Sequence, residues 1–577
     1  MAHLSLNKCM RNKITLNGVN KTHLYEKEIN MFEEKKAEGK KMLVSRRQLL
    51  VGAGATVAFG AAASFLPKVV TNAAAATKTT VCKKYSFETP PAPIPASQIK
   101  TKKSADVVVL GAGLGGLCAA YAAADKGAKV VLLEKRKTFT FHGGWNASLD
   151  DRLHKSNNIV IPKDRWMAEI MRFGAYNANA KLIKLWLDEH GRIMNKILDM
   201  ADAAKIKYFV DTNNKSYWPY TEYPSAIQFL PGWNYTLCGL LEKNIKEKGV
   251  DLLYETPAVQ LIRKHKKGKV TGVVAKGKDG YVQVDAAKGV IICSGGYTNN
   301  REMLEKYSPR CLKITGNGYP EGSDTGDGIL MGMWIGGAKQ ETDAPMLWDG
   351  FSTVPGGFRD SVVNLTRQPF LNVNLLGERY MNEDAPFGFT ANQDMRQPES
   401  KKWTVWDANW DADKDKLHGT VCENMVKTPL WSNKDYEKFK NKGIIVEADT
   451  LEGLADNMKV PRDTFIATVK RYNQLVQKAV DDDFGKDSVK LTAIVKPPFG
   501  AGITGAGLLV TMDGLRINTD LQVLDTEGKP IPGLYAAGNA SGDFFSNDYP
   551  ITTTGVSHGR AYTFGWLAGE KAAELKG

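Results

Sequence analysis

Over residues 105–135 the chain reads ADVVVLGAGLGGLCAAYAAADKGAKVVLLEK, and its apolar pattern changes twice. The unbroken apolar run at 107–110 predicts a strand buried on both faces of a parallel sheet. Gly111-Ala112-Gly113-Leu114-Gly115-Gly116 interrupts it, and the Ala-rich stretch 117–125 predicts a helix ended by Gly127. A second strand follows at 130–133, closed by Glu134. Helical spacing over 164–205, with Met167, Ile170 and Met171 and then Leu182, Leu185 and Trp186, predicts further helices. Strands are predicted at 251–254, 270–275, 281–284 and 289–293, the last running into Ser294-Gly295-Gly296-Tyr297. Thr325-Gly326-Asp327-Gly328 opens another helix.

From 345 to 496 the pattern becomes irregular and rich in Trp and polar residues, with helices predicted near 433–443 and 461–482. The sheet pattern resumes at Thr511, with a strand and turn at 533–539 and a helix over 555–571. The expected class is α/β: a Rossmann-like dinucleotide-binding domain built from both chain ends, with an inserted α+β capping domain. The expected divisions are a leader at 1–76, a Pro-rich linker without helix or strand at 77–103, the first part of the binding domain at 104–345, the capping or substrate domain at 346–500 and the second part at 501–577.

The glycines explain the chemistry of the first turn. Gly111 allows the tight bend, Gly113 lets the backbone approach a pyrophosphate, and Gly116 lets helix and strand pack closely. The helix start offers N–H groups and positive dipole character to phosphate. Glu134, 18 residues past Gly116, is placed to accept from both ribose hydroxyls.

The formal charge of +14 on 577 residues does not imply nucleic acid, since residues 1–76 hold twelve Lys/Arg against five Asp/Glu and so carry half of it. The rest is scattered, and no nucleic-acid partner is expected. The seven cysteines form no CxxC and no CxxCH, which excludes an ordinary structural zinc site and a c-type haem in this chain; no metal is expected. Ser45-Arg46-Arg47-Gln48-Leu49-Leu50, a Gly/Ala-rich apolar stretch to about Leu66 and Ala74-Ala75-Ala76 have the layout of a twin-arginine signal. The expectation is export to the periplasm or cell envelope, with transient membrane association through the signal and Met42 as a candidate start.

GAGLGG with Glu134, HGGWNAS at 142–148, SGGY at 294–297, TGDG at 325–328, Gly377-Glu378-Arg379-Tyr380-Met381-Asn382-Glu383, and PGLYAAGNASG at 532–542 with the later TFGWLAGE together resemble a known family. It is the fumarate reductase/succinate dehydrogenase flavoprotein superfamily, in its exported branch of flavocytochrome fumarate reductases, urocanate reductases and 3-ketosteroid dehydrogenases. The resemblance covers about 104–577. It implies non-covalent FAD, a cap that swings over the ring, and hydride transfer between flavin N5 and an alkene carbon. It assigns cofactor binding to Gly111, Gly113, Gly115, Gly116, Glu134 and Lys135, and to the loop Gly143, Gly144, Trp145, Asn146, Ala147 and Ser148. It further assigns Val259, Gly295, Asp327, Gly538, Asn539, Val556 and Ser557. Asn539 stands where many relatives have Glu, and the helix start at Val556-Ser557 would face flavin N1 and O2.

The departures from the fumarate pattern bear on substrate. Where the family's proton-donating Arg follows Asn-Glu, this chain has Pro386-Phe387; near its His, Leu509-Val510-Thr511-Met512; and at its second Arg, Tyr549-Pro550-Ile551-Thr552-Thr553. Burying two carboxylates without those cations is costly, so fumarate is not expected. The Tyr549-Pro550 loop resembles the ketosteroid dehydrogenase pattern, in which this hydroxyl polarises a ketone, but the Tyr those enzymes carry after Ala-Pro is Phe387 here. The expected activity is reduction of an activated C=C bond in an apolar or aromatic enone or acrylate, with Tyr549 polarising the carbonyl and Phe387 in the substrate pocket. Tyr220, Tyr223 and Tyr297 are further proton-donor candidates. The alternatives are a 3-ketosteroid dehydrogenase, a fumarate- or urocanate-type reductase, or a flavin electron-transfer protein. Electrons are expected from a separate cytochrome or FMN-containing partner.

Overall fold

In the computed structural model the apolar run 107–110 is the inner end of β1 (Ile99–Leu110), buried between two parallel neighbours. The structure describes residues 84–212, 222–264, 267–319, 321–353, 362–414, 416–417 and 432–575. The leader with Arg46, Arg47 and Met42, and also Tyr220, lie outside the described residues. After β1 come α1 (Leu114–Asp125), β2 (Val130–Leu133) and β3 (Asn146–Ala147). The helices α2 (Lys163–Phe173) and α3 (Ala180–Ala203) follow, then β4 (Tyr208–Val210), β5 (Ala226–Phe229) and α4 (Asn234–Glu247). The chain continues through β6 (Asp251–Leu253), β7 (Ala258–Arg263), β8 (Val270–Gly277), β9 (Gly280–Ile292), β10 (Gly316–Asn317) and α5 (Asp327–Trp334).

Two of these differ from expectation. The segment 77–103 is not a plain linker: short 3-10 turns occupy Ser86–Glu88 and Ala96–Gln98, and β1 begins at Ile99. Its outer half is polar because backbone pairing with β9, Lys103 opposite Val284, holds it without burying its side chains. The two strands expected at 281–284 and 289–293 are one strand, β9, and β7 joins through β8.

Later elements include β11 (Pro345–Ser352), β12 (Leu371–Val373), α6 (Phe387–Asp394), β13 (Lys401–Trp406), α7 (Asn433–Asn441), β14 (Ile445–Ala448), α8 (Leu451–Met458), α9 (Arg462–Lys478), β15 (Phe499–Thr511), β16 (Gln522–Leu524), β17 (Pro530–Ala536) and α10 (Val556–Glu574). The main sheet runs β16-β17-β9-β1-β2-β6, with β17, β9, β1, β2 and β6 parallel. Both chain ends therefore build it, and the α/β class is observed. The small residues of α1 are buried all round because the helix packs against α10 as well as the sheet.

A second sheet is organised on β15, which pairs with β10, β11, β13 and β14. The expected boundary at 500 cuts this strand: the second sheet extends to Thr511. Beneath it lie the helices α8 and α9 over Leu371, Trp403, Phe465 and Tyr472. The GERYMNE motif staples this part together. Arg379 donates to Glu383 from Nε at 2.8 Å and to Asp481 from Nη1 at 2.9 Å, with both carboxylates fully buried. Among the described residues no helix is long and apolar enough to cross a membrane.

Candidate active site

The carboxyl ends of β1, β2 and β9 and the turn after β17 converge on one cavity, which Leu110, Leu133, Cys293 and Ala537 help to line. Open α/β sheets bind ligands at this edge. Its volume is about 1210 Å³. That exceeds the roughly 300–1,000 Å³ of a small-molecule site and leaves room for a dinucleotide with a second molecule beside it.

At one end lies the glycine turn. Gly113 precedes α1 with no side-chain cap, so the first turn's N–H groups meet the cavity unblocked by a side chain. A Cβ on Gly116 would stand 1.8 Å from the Gly111 carbonyl oxygen, so only glycine fits there. Glu134 is buried; its Oε2 accepts from the Ala112 N–H at 2.7 Å and its Oε1 from the Arg136 N–H at 2.8 Å. These bonds hold the carboxylate at the cavity wall. Lys135 Nζ lies 2.6 Å from Thr325 Oγ1 and 3.0 Å from Asp327 Oδ2, tying the strand end to the start of α5.

The middle of the wall carries buried polar atoms without a protein hydrogen-bond partner: Ser294 Oγ, His142 Nδ1 and Asp324 Oδ2. Burying such groups unpaired is unfavourable, and a hydroxyl-rich ligand chain satisfies them. Together with the glycine turn and Glu134, this donor and acceptor set fits FAD. His142 and Asp324 are 3.8 Å apart but do not form an ion pair at neutral pH. Burial and the nearby Arg136 push His142 down to about 3, while burial raises Asp324 to about 6.

The other end is mostly apolar, with Asn364, Asp435 and Lys438 its polar members. Met346 and Trp348 of β11, Val362, Leu509 and Val510 of β15, and Ile551 line it, with Phe439 of α7. Tyr549 stands among them, and its hydroxyl accepts from the Ser557 N–H at 3.3 Å in the first turn of α10. Gly555 precedes that turn with φ of 83°, and a Cβ there would meet the Trp145 carbonyl oxygen at 2.8 Å. His558 donates from Nδ1 to the same Trp145 carbonyl at 2.7 Å, since a carbonyl only accepts. Burial pushes His558 down to about 4.

Most of the sequence-derived cofactor residues meet at this cavity: Gly111, Gly113, Gly115, Glu134, Lys135, Gly143, Trp145, Gly295, Asp327, Gly538, Asn539 and Ser557 all line it. Gly144, Asn146, Ala147, Ser148 and Val556 stand behind the wall. Asn146 donates to the Gly144 and Ile227 carbonyls and to Asn234 Oδ1, and Ser148 meets His190. Val259 also falls outside, one residue beyond Pro257 and Ala258, which line the cavity.

Three catalytic expectations need correction. Tyr297 is fully buried away from the cavity wall and donates to Asp513. Phe387 does not line the pocket but packs edge-on behind Trp348, ring centroids 5.4 Å apart. Tyr223 is likewise absent from the wall. Sequence reasoning missed His142, Asp324, His558 and Trp348. His142 and Asp324 directly precede the glycine motifs, which was the available signal.

Comparison with known proteins agrees with this geometry. The profile of a family described as an FAD binding domain matches residues 106–551. The chain is 28% identical over 490 residues to the vinyl phenol reductase of Lactiplantibacillus plantarum, covering 82% of this chain and 97% of that protein. It is 26% identical over 478 residues to the NADH:fumarate oxidoreductase of Klebsiella pneumoniae, covering 82% of this chain but spanning 48% of that protein's length. The fold matches the open conformation of a flavocytochrome c3 fumarate reductase with a TM-score of 0.63 at 22% identity, over 85% of this chain and 82% of that one. The chain belongs to this FAD-binding family and is an FAD-dependent oxidoreductase acting on CH–CH bonds.

Proposed function

We propose that this protein reduces the C=C bond of an apolar or aromatic molecule in which the alkene is conjugated to an oxygen-bearing group, an enone or acrylate first of all. The observation that carries the reading is the Tyr549 hydroxyl, held on the first turn of α10 in a wall where Met346, Trp348, Val362, Leu509, Val510 and Ile551 supply most of the surface. When bound, FAD would supply the hydride. Gly111, Gly113, Gly115, Glu134, Ser294 and Asp324 would hold it, with the ribose on Glu134. The Ser557 N–H and the helix dipole draw charge from the Tyr549 oxygen and so strengthen its O–H as a donor. Aimed at a substrate carbonyl, that donor stabilises the negative charge that grows on the oxygen. Met346, Trp348, Val362 and Ile551 exclude water and suit an aromatic or aliphatic body.

Against fumarate stands the charge of the wall. The Lys and Arg residues among its described lining are Lys135 and Arg136 beside Glu134, and Lys438 on α7. A dicarboxylate needs cations at both ends. The Lactiplantibacillus relative, a vinyl phenol reductase, supports an aromatic substrate. Reoxidation of the chemically reduced protein by aromatic enones and acrylates, beside fumarate and 4-vinylphenol, tests the reading; preference for fumarate overturns it. Ketosteroid with an artificial oxidant tests the opposite direction. Export and an electron-donating cytochrome or FMN protein complete the proposal. Changing Arg46-Arg47 to Lys-Lys should leave FAD-loaded precursor in the cytoplasm; mature protein still found outside would overturn the export reading.

A further inference from the structure

Arg560 lies in α10, three residues after Ser557, and is fully buried. Among the described residues it makes no ion pair. Its Nη2 donates to Asn539 Oδ1 at 2.7 Å, its Nη1 reaches the Ser541 carbonyl at 3.4 Å, and its Nε is buried with no hydrogen-bond partner. The Phe545 ring covers the guanidinium with its centroid 4.8 Å away, and that ring is 5.6 Å from Tyr549. Burial pushes Arg560 down to about 9, which still leaves it charged at neutral pH.

An arginine buried against neutral partners is unfavourable for stability, and a compensating negative charge lowers that cost. Asn539, its main partner, is part of the cavity wall, so the cation stands one side chain behind the flavin cavity. We propose that Arg560 is a positioning residue that acts through Asn539 on the flavin: its uncompensated charge favours the reduced ring over the oxidised one and so raises the reduction potential. In a site screened from water a unit charge acts more strongly than in bulk solvent. Asn539 serves because it is neutral, holding the guanidinium without cancelling it. The inference rests on FAD binding alone and is independent of which alkene is reduced.

The test is Asn539→Glu in the FAD-loaded full-length protein. The new carboxylate would meet Arg560 directly and neutralise it. The flavin midpoint potential is measured by anaerobic titration against a reference dye, together with thermal stability. The account predicts a fall of at least tenfold in the preference for reduced over oxidised flavin, about 30 mV for a two-electron couple. Should that variant fail to load FAD, Arg560→Gln removes the charge with the same predicted sign, whereas Arg560→Lys should keep the potential within threefold in that ratio. A merely structural Arg560 would let Asn539→Glu raise the melting temperature and leave the potential unmoved. An unmoved or raised potential in Asn539→Glu or, where that is not loaded, in Arg560→Gln overturns the proposal.

Discussion

The hydroxyl oxygen of Tyr549 accepts a hydrogen bond from the backbone N–H of Ser557, 3.3 Å away at the start of α10. A tyrosine that only packed would need no such anchor at the head of a helix. If its O–H donates to a substrate carbonyl, Tyr549→Phe lowers kcat more than it raises KM. The expected loss is about 2.7–4 kcal/mol, or about 10²–10³-fold, by comparison with other oxyanion donors. FAD content should not change, because the ring is kept. Single-turnover reoxidation within threefold of the parent would remove Tyr549 from the mechanism.

Glu134→Ala removes a carboxylate that organises the glycine turn through Ala112 and Arg136 and faces the ribose. A charged acceptor of this kind contributes about 1.5–3 kcal/mol. The purified variant should lose FAD on gel filtration and melt at a lower temperature through lost ligand linkage. Full flavin occupancy after dilution would contradict the ribose assignment.

Gly116→Ala places a methyl group 1.8 Å from the Gly111 carbonyl oxygen, and both partners are backbone. Nothing there yields without moving α1 off β1. The expected cost is above about 4 kcal/mol, seen as insoluble or flavin-free protein. A soluble, yellow variant with parental melting temperature would show that the turn is looser than this packing.

Acid should destabilise the protein through its buried histidines. His558 is held neutral with a value of about 4, against 6.5 unfolded, so between those values the unfolded chain binds more protons. Its contribution is complete above about 6.5 and is lost as pH falls toward 4. Asp324, raised to about 6, works the other way, losing stability as pH rises from about 4 to 6. His558→Gln keeps a donor for Trp145 and leaves Asp324 in place. Its melting temperature should fall less between pH 7 and pH 5 than the parent's; an equal fall would mean that His558 does not titrate in this range.

The sequence carried what depends on neighbours along the chain. The run 107–110, the glycine turn and Glu134 form one local unit, and each step of it is visible in residue type and spacing. What depended on distant pairing was not. The polar half of β1 is a strand only because β9 lies beside it, and β15 serves the second sheet rather than the second part of the binding domain. Tyr297 sits in a glycine loop that suggested chemistry, yet its hydroxyl is taken by Asp513, more than two hundred residues away in sequence. Phe387, at the start of α6, is one layer too deep, because Trp348 from β11 stands in front of it. His142 meets Asp324 only through the fold, so their place before the glycine motifs was the sole local sign of either.

The most direct measurement mixes the anaerobically reduced protein with single alkenes in a stopped-flow instrument and follows the return of flavin colour. The account predicts rapid, saturable reoxidation by at least one aromatic or apolar conjugated alkene, slowed by Tyr549→Phe, and no acceleration by fumarate over buffer. Reoxidation led by fumarate, or by none of the enones, acrylates and vinylphenols, would contradict it.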